Sequence, residues 1–335
     1  MEVTKVEQEK IYEIIQKKLT TVPLILIGTG GTMPYGIPGM SALADRLILD
    51  LSSKYNGDSE WSKFEDKLNK GIALEEALTD LNLNESIIND IINVTWKLIS
   101  ESDLTIMKQW ITSGIKSDLG KIIHRFYQAT PQCVNVITTN YDRGIEYSCD
   151  QYSMLANTLF DGEYYKRFKR TNQIGVRQVV NILKVHGSLD WYFENNGQVV
   201  SLPLQENLLC GLKPAIITPG TSKYKRVLET PFRDILRISD ELIEKANNYL
   251  CIGYGFNDSQ IQANIIREIQ LGKPIVVWTK ELSVEAVNLI KNNSENFVII
   301  QACKGDNSKS EVIMTSGTEI INEQIWTQEG LLRIV

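Results

Sequence analysis

The chain has 335 residues, a formal net charge of −6 and a pI near 5.3; 43% of its residues are hydrophobic and 23% are charged. That length suits one large core carrying an inserted piece, and the acidic balance argues against a broad nucleic-acid surface. The apolar runs fall far short of the roughly 20 residues that span a bilayer, so no membrane role is expected.

The N-terminal stretch MEVTKVEQEKIYEIIQKKL is charged throughout and lacks the apolar centre of a signal peptide; it reads as an amphipathic helix of a cytoplasmic protein. The first strand, VPLILIG (22–28), runs into GTGGTMPYGIPGM (28–40) and then a helix, SALADRLILDL. Gly28, Gly30 and Gly31 let the backbone turn sharply and approach a ligand. The helix start behind them offers unpaired N–H groups and a positive dipole end, suited to a phosphate. The full dinucleotide fingerprint G-x-G-x-x-G would need glycine at 33, where Met33 stands. A glycine turn holding no ligand would show the same residues.

Residues 51–127 read as several polar helices without a convincing strand, hence a helical subdomain inserted after the first βα unit. Its apolar stripe (Ile87, Ile88, Ile91, Ile92, Trp96, Ile99) suits an internal core better than an interface, and His124, in a helical pattern, reads as structural. After the strand VNVITTN (134–140), residues 151–178 are irregular and rich in Tyr, Lys and Arg, a smaller insertion whose basic run YYKRFKR (164–170) reads as a solvated face. Five further strand-like runs follow: VVNILKVHG (179–187), PAIITPG (214–220), YLCIGYG (249–255), PIVVWT (274–279) and NFVIIQA (296–302). Helices are expected over 231–248 and 258–271. Continuous apolar strands alternating with helices imply a doubly wound, Rossmann-like α/β fold with a parallel sheet. A single domain spans 1–335, and nothing after about 305 reads as a separate sensor. The five cysteines (133, 149, 210, 251, 303) form no C-x-x-C pair, so no zinc module or disulfide framework is indicated.

In such a sheet, ligands bind outside the carboxyl ends of the strands. Those ends carry Thr138-Thr139-Asn140-Tyr141-Asp142, His186-Gly187-Ser188 and Gly253-Tyr254-Gly255-Phe256-Asn257-Asp258. Each is small and polar where packing alone would allow anything. His186 is one of only two histidines in the chain.

The ordered set G-x-G…G-I-P, then T-x-N-x-D, then H-G, then a late strand with a glycine loop resembles the sirtuin superfamily. Gly28–Gly31 with Gly36-Ile37-Pro38 are similar to its first NAD-binding stretch, Thr139-Asn140-Tyr141-Asp142 to its Gln-Asn-Ile-Asp motif, and His186-Gly187 to its catalytic histidine. Gly39-Met40-Ser41 stand where deacetylases carry Asp-Phe-Arg, and the four-cysteine zinc module is missing. ITPGTSKYK (217–225) and IGYGFNDSQIQANI (252–265) are instead similar to sirtuin-like domains of prokaryotic antiphage defence systems, with Gly255 in place of the usual serine.

The resemblance implies an NAD+ hydrolase (NADase) that releases nicotinamide and ADP-ribose as the effector of abortive infection, needing no metal. Asn140 would position a ribose hydroxyl and the attacking water. Asp142 would face the nicotinamide carboxamide or orient Asn140. His186 would accept a proton near neutral pH. Gly28, Thr29, Gly30 and Gly31 would cradle the pyrophosphate through backbone N–H groups. Pro38, Thr139, Gly187, Ser188, Gly253, Gly255, Asn257 and Asp258 complete the expected cofactor contacts, with Gly253, Asn257 and Asp258 on the adenosine side. The resemblance also implies a homo-oligomer or a neighbouring-gene partner, such as a helicase-like ATPase, that holds the activity in check. An NAD-dependent ADP-ribosyltransferase or deacylase would use the same pocket, and a silent NAD or ADP-ribose sensor would need neither Asn140 nor His186.

Overall fold

The computed structural model describes residues 5–78, 81–169, 178–218 and 229–335. Residues 170–177 of the expected smaller insertion, and 219–225 of the ITPGTSKYK motif, lie outside the described residues.

The N-terminal helix α1 (Lys5–Lys18) buries Ile11 and Ile15 and leads into β1 (Leu24–Ile27). Two short 3-10 turns, Thr29–Gly31 and Met33–Tyr35, precede α2 (Met40–Leu51), α3 (Ser59–Asn69), α4 (Leu74–Ala77), α5 (Glu85–Ser113) and α6 (Asp118–Gln128). Next come β2 (Cys133–Thr138), α7 (Gly144–Gln151), β3 (Ala156–Asn157), β4 (Phe160–Asp161) and β5 (Lys166–Phe168). They are followed by β6 (Val179–Lys184), β7 (Gly187–Phe193), β8 (Val199–Ser201) and β9 (Lys213–Ile216). The last part holds α8 (Phe232–Lys245), β10 (Tyr249–Ile252), α9 (Ser259–Gln270), β11 (Ile275–Trp278) and α10 (Val284–Asn293). It closes with β12 (Phe297–Cys303), β13 (Asp306–Met314), β14 (Gly317–Ile321) and α11 (Gln328–Ile334).

A nine-stranded sheet runs β14-β13-β12-β11-β10-β1-β2-β6-β3. From β12 to β3 every pairing is parallel, and β13 and β14 add an antiparallel edge. One face carries α8, α9 and α10, the other α1, α6, α7 and α11. The central strands are therefore buried on both sides, which is why they read as unbroken apolar runs. β1 has β2 on one side and β10 on the other, so the strand order reverses there and a crevice opens at the carboxyl ends of β1 and β10.

Three expectations are corrected. The run 179–187 is not one strand: β6 stops at Lys184 and Gly187 opens β7 in a second, five-stranded antiparallel sheet, β4-β5-β8-β7-β9. Gly187 has φ +87°, and a Cβ there would lie 2.1 Å from the Ala215 carbonyl oxygen. Only glycine can make that turn out of the main sheet. Residues 214–216 likewise pair in the second sheet. The expected helical insertion over 51–127 is redrawn by packing. Leu43, Leu47 and Leu51 of α2 share a core with α3, α4 and the start of α5, whereas Leu119, Ile122, Ile123 and Phe126 of α6 pack on the main sheet. The helical module thus comprises α2 to α5. Its stripe is indeed internal: Ile87 and Ile91 join the module core, while Ile92, Trp96 and Ile99 pack on the second sheet. Trp96 also donates from Nε1 to the Leu189 carbonyl at 2.8 Å. Among the described residues no helix is long and apolar enough to cross a membrane.

The crevice floor rests on a contact between two glycine loops. Cβ atoms at Gly28 and Gly30 would lie 2.5 and 2.8 Å from backbone atoms of Gly253, and one at Gly253 (φ +57°) would lie 2.1 Å from the Gly30 carbonyl carbon. A Cβ at Gly255 meets nothing nearer than 3.4 Å. Gly253→Ala is therefore expected to cost about 3 kcal/mol or more through overpacking and a forced positive φ. Gly255→Ser should stay within about 1 kcal/mol. Urea unfolding of the two variants checks the contrast.

Candidate functional site

The three polar strand ends do meet. A cleft of about 290 Å³ opens above the carboxyl ends of β1, β2 and β10, lined by Gly28, Thr29, Thr139, His186, Gly253 and Asp258, among others. Gly255 and Asn257 line it as well, as do Met40 at the start of α2 and Ala73, Leu74 and Glu75 around α4. The start of α2 has no side-chain cap. A second cleft of about 560 Å³ lies across the glycine contact, on the face that carries α11; Gly30, Gly253, Trp278, Lys280, Gln328 and Arg333 help to line it. The two share Gly253.

Asn140 is buried beside this cleft, and its amide orientation is settled by its neighbours. Nδ2 donates to the Gly28 carbonyl at 3.0 Å and to Thr32 Oγ1 at 3.1 Å. A carbonyl can only accept, so the nitrogen must face it. Both amide hydrogens are thereby used, and Oδ1 is left buried with no partner. Thr32 passes the constraint on, donating from Oγ1 to Asp142 Oδ2 at 2.9 Å, while Asp142 Oδ1 accepts from the Gly144 amide at 3.0 Å. Asp142 is only 2% exposed and does not line the cleft. Of the two expected roles the geometry gives it the orienting one, exercised through Thr32. Burial pushes its carboxyl above the ordinary aspartate range, against the opposing pull of Lys184.

Lys184, at the end of β6, is 1% exposed and turns inward. Its Nζ donates to the Asp142 and Tyr141 carbonyl oxygens and to Glu146 Oε1, the last at 3.0 Å. It pins the loop that carries Asn140. From the helical module, Asp103 accepts from the Arg143 amide at 2.6 Å and pairs with its guanidinium at 3.2 Å. Thr32, Lys184 and Asp103 belong to none of the motifs in the sequence; a lysine inside the apolar run VVNILK was the one visible signal.

His186 sits in the turn between β6 and β7, with Nε2 2.7 Å from Asp258 Oδ2 but not aligned as a hydrogen bond. Asp258 was expected on the adenosine side. Its Oδ1 instead caps α9, accepting from the Gln260 and Ile261 amides at 3.0 and 3.1 Å. Its other oxygen then faces the imidazole. Tyr254, on the same loop, keeps a buried hydroxyl without a partner. Burial first, then the Asp258 charge, pushes that hydroxyl well above the ordinary tyrosine value, so it is a donor.

The expected phosphate cradle is corrected at three of its four amides, Thr29 being the one that no internal acceptor is shown to take. The amides of Gly28, Gly30 and Gly31 already donate to the carbonyls of Ile252, Gly253 and Gly28 at 3.2, 3.1 and 2.9 Å. These glycines are small because two backbones touch there. Gly187, Ser188 and Pro38 do not line the cleft. Gly187 serves the turn, and Ser188 Oγ donates to Asp190. His124 lies on α6, tilted against Tyr152 at 5.2 Å, and does not line the cleft. Among the described residues no group of three or more His, Cys, Asp or Glu side chains is placed to hold a metal ion.

Residues 134–274 match the family model described as a SIR2-like domain. That stretch holds Asn140, His186 and the Gly253–Asp258 loop, and over it the chain is sirtuin-like. Solved structures that align with the chain include a Sir2 protein bound to a propionylated peptide, at 12% identity over 86% of this chain and 92% of that one, with a TM-score of 0.44. A mutant Sir2 homologue in complex with 2'-O-acetyl ADP ribose is 14% identical over 83% of this chain and 87% of that one, with a TM-score of 0.47. No curated protein matches the chain.

Thr32→Val removes the donor to Asp142 and the acceptor for Asn140 while keeping the shape. It should cost about 1–3 kcal/mol, the usual toll of leaving buried partners unsatisfied. Asp142→Asn tests the raised carboxyl. A group that holds its proton more tightly when folded stabilises most at acid pH and loses that contribution as pH rises through its folded value. The stability deficit of Asp142→Asn should therefore be largest near pH 4 and shrink towards neutrality, as melting temperatures across that range will report.

Proposed function

We propose that this protein is an NAD+ hydrolase, cleaving the bond between nicotinamide and ribose to give nicotinamide and ADP-ribose. One observation carries the reading. Three buried polar atoms lie in or beside one cleft at the switch point of the sheet: Asn140 Oδ1 and Tyr254 Oη, which have no hydrogen-bond partner, and His186 Nε2, which faces Asp258 Oδ2 without an aligned hydrogen bond. Buried groups of this kind are rarely left unpaired unless a ligand or ordered water completes them, and here they offer an acceptor, a proton-exchanging group and a donor.

The cleft over His186, at about 290 Å³, suits the nicotinamide riboside half. The neighbouring cleft of about 560 Å³, whose wall mixes Lys280 and Arg333 with Asp118 and Glu329, has room for the remainder of the dinucleotide. The uncapped start of α2 offers the first-turn amides that the glycine loop has spent elsewhere. In the reaction the C1′–N bond breaks and its electron pair leaves with neutral nicotinamide. A water held by Asn140 Oδ1 adds to C1′, and its proton passes to His186. General-base help of this kind is worth roughly 10²–10⁴ in rate.

The biological reading follows from the resemblance of the 252–265 motif: an effector of antiphage, abortive-infection defence, held off by a partner or by assembly. The test is nicotinamide release from NAD+ by the purified chain. His186→Ala and Asn140→Ala should each lower it at least 100-fold, and full activity in both would defeat the assignment. Release that depends on an added acylated peptide or protein acceptor would favour the transferase or deacylase reading.

A further inference from the structure

Asp103 interrupts an apolar stripe. Along α5 the line Ile92, Trp96, Ile99, Asp103, Ile106 keeps to one helical face. Its apolar members pack with Tyr141, Leu189 and Tyr192, and Asp103 is buried among them. A carboxylate in that position is costly unless paired and hydrogen-bonded, and an apolar residue there would pack without the cost. Its hydrogen-bond partners come from one short stretch, the start of α7. Oδ1 accepts from the Arg143 amide at 2.6 Å, and Oδ2 accepts from the Arg143 guanidinium at 3.2 Å and from the Tyr147 hydroxyl at 2.6 Å. The Tyr147 ring also lies edge-on to Trp110, further along α5, with centroids 6.4 Å apart. Arg143 is the residue at which α7 begins, and it directly follows the Asn140–Asp142 segment. Residues 140, 141 and 142 are held from the sheet side, by Gly28, Thr32 and Lys184. Arg143 is held from the module. The same module lines the cleft through Met40, Ala73 and Leu74.

We propose that Asp103 is a positioning residue: by clasping Arg143 and Tyr147 it lets the docked module set the place of Asn140, so that the cleft is catalytically competent only with the module seated. This rests on the NAD+ hydrolase reading and adds to it a means of control. Asn140 must hold the attacking water in line with C1′, and a misplacement of about 1 Å in such a group costs about 100-fold in rate. A displaced module would release Arg143 and shift the cleft wall in one step. Asp103 itself does not line the cleft, so it acts on the placement of Asn140 and leaves substrate binding to other groups. A buried ion pair is weak as a source of stability, and its place in the stripe is explained by the geometry it imposes.

The experiment uses the full chain as wild type, Asp103→Asn, Arg143→Met, the two combined, and Glu101→Gln, an exposed position on α5 that serves as control. Hydrogen exchange at the amides of residues 141–147 is measured without ligand. The kcat and KM of nicotinamide release from NAD+ are measured well below every melting temperature. Asp103→Asn and Arg143→Met should each speed exchange in that stretch about tenfold or more. Each should lower kcat about 10- to 100-fold, with KM within about threefold of wild type. The combined variant should be no worse than the poorer single one, since both remove the same clasp, and Glu101→Gln should match wild type. A merely structural Asp103 would lower the melting temperature and leave kcat intact under these conditions. Unchanged exchange, or faster exchange with kcat unchanged, overturns the proposal and leaves the hydrolase reading standing. No nicotinamide release from wild type removes that reading, and the catalytic role of the clasp with it. Should a single variant leave an uncompensated buried charge and fail to fold, the combined one, which buries neither charge, decides on the same terms.

Discussion

The site depends on one close approach of backbone to backbone. The turn after β1 and the turn after β10 come together at Gly28, Gly30 and Gly253, with no room for a single Cβ between them. Amides of the first turn are tied to carbonyls of Ile252 and Gly253 on the second. This contact closes the crevice between the two central strands from below and fixes the carbonyl of Gly28, to which Asn140 is anchored. Everything that faces the cleft is referenced to that floor. The glycines are an architectural necessity before they are a binding motif.

Above the floor, polar side chains hold one another in a sequence that leaves little freedom. Gly28 orients Asn140, Thr32 accepts from Asn140 and donates to Asp142, and Lys184 gathers the carbonyls of residues 141 and 142 with Glu146. Buried charge of this kind is costly unless paired and hydrogen-bonded, so its retention at the ends of β2 and β6 buys geometry rather than stability. On the opposite wall a helix cap, Asp258, doubles as the neighbour of His186. The helical module closes the remaining side through Glu75 and is itself tied to the site through Asp103 and Trp96.

Much of the fold was legible because the central strands are buried on both faces and therefore written as plain apolar runs; β6 is buried at every position. The second sheet was not, since β4 and β8 have two and three residues, too few to display an alternation. The close of β6 was misplaced because Val185 continues the apolar run while Gly187 turns the chain away. At the site, Asn140 and His186 stood out by chemistry and by their order along the chain. The glycine loop was misjudged for a physical reason: absence of a side chain records that something approaches closely, not what approaches. The nearness of Asp258 to His186 could not be read from sequence, because a capping aspartate looks the same whichever way its second oxygen points. Glu75 had no local signature, since one carboxylate in LEEAL becomes distinctive only once the module is docked.

The last helix has a reach beyond its length. Gln328 donates to the Gly31 carbonyl at 2.6 Å and accepts from the Tyr35 hydroxyl, while the Ile334 carbonyl accepts from Gln16 of α1 at 2.6 Å. Seven residues at the far end of the chain thus fasten the first helix to the glycine turn. Local opening of that short helix would cost the turn its tether and the cleft its level base. Solvent exchange at the turn's amides should then keep pace with exchange at the carboxyl-terminal ones.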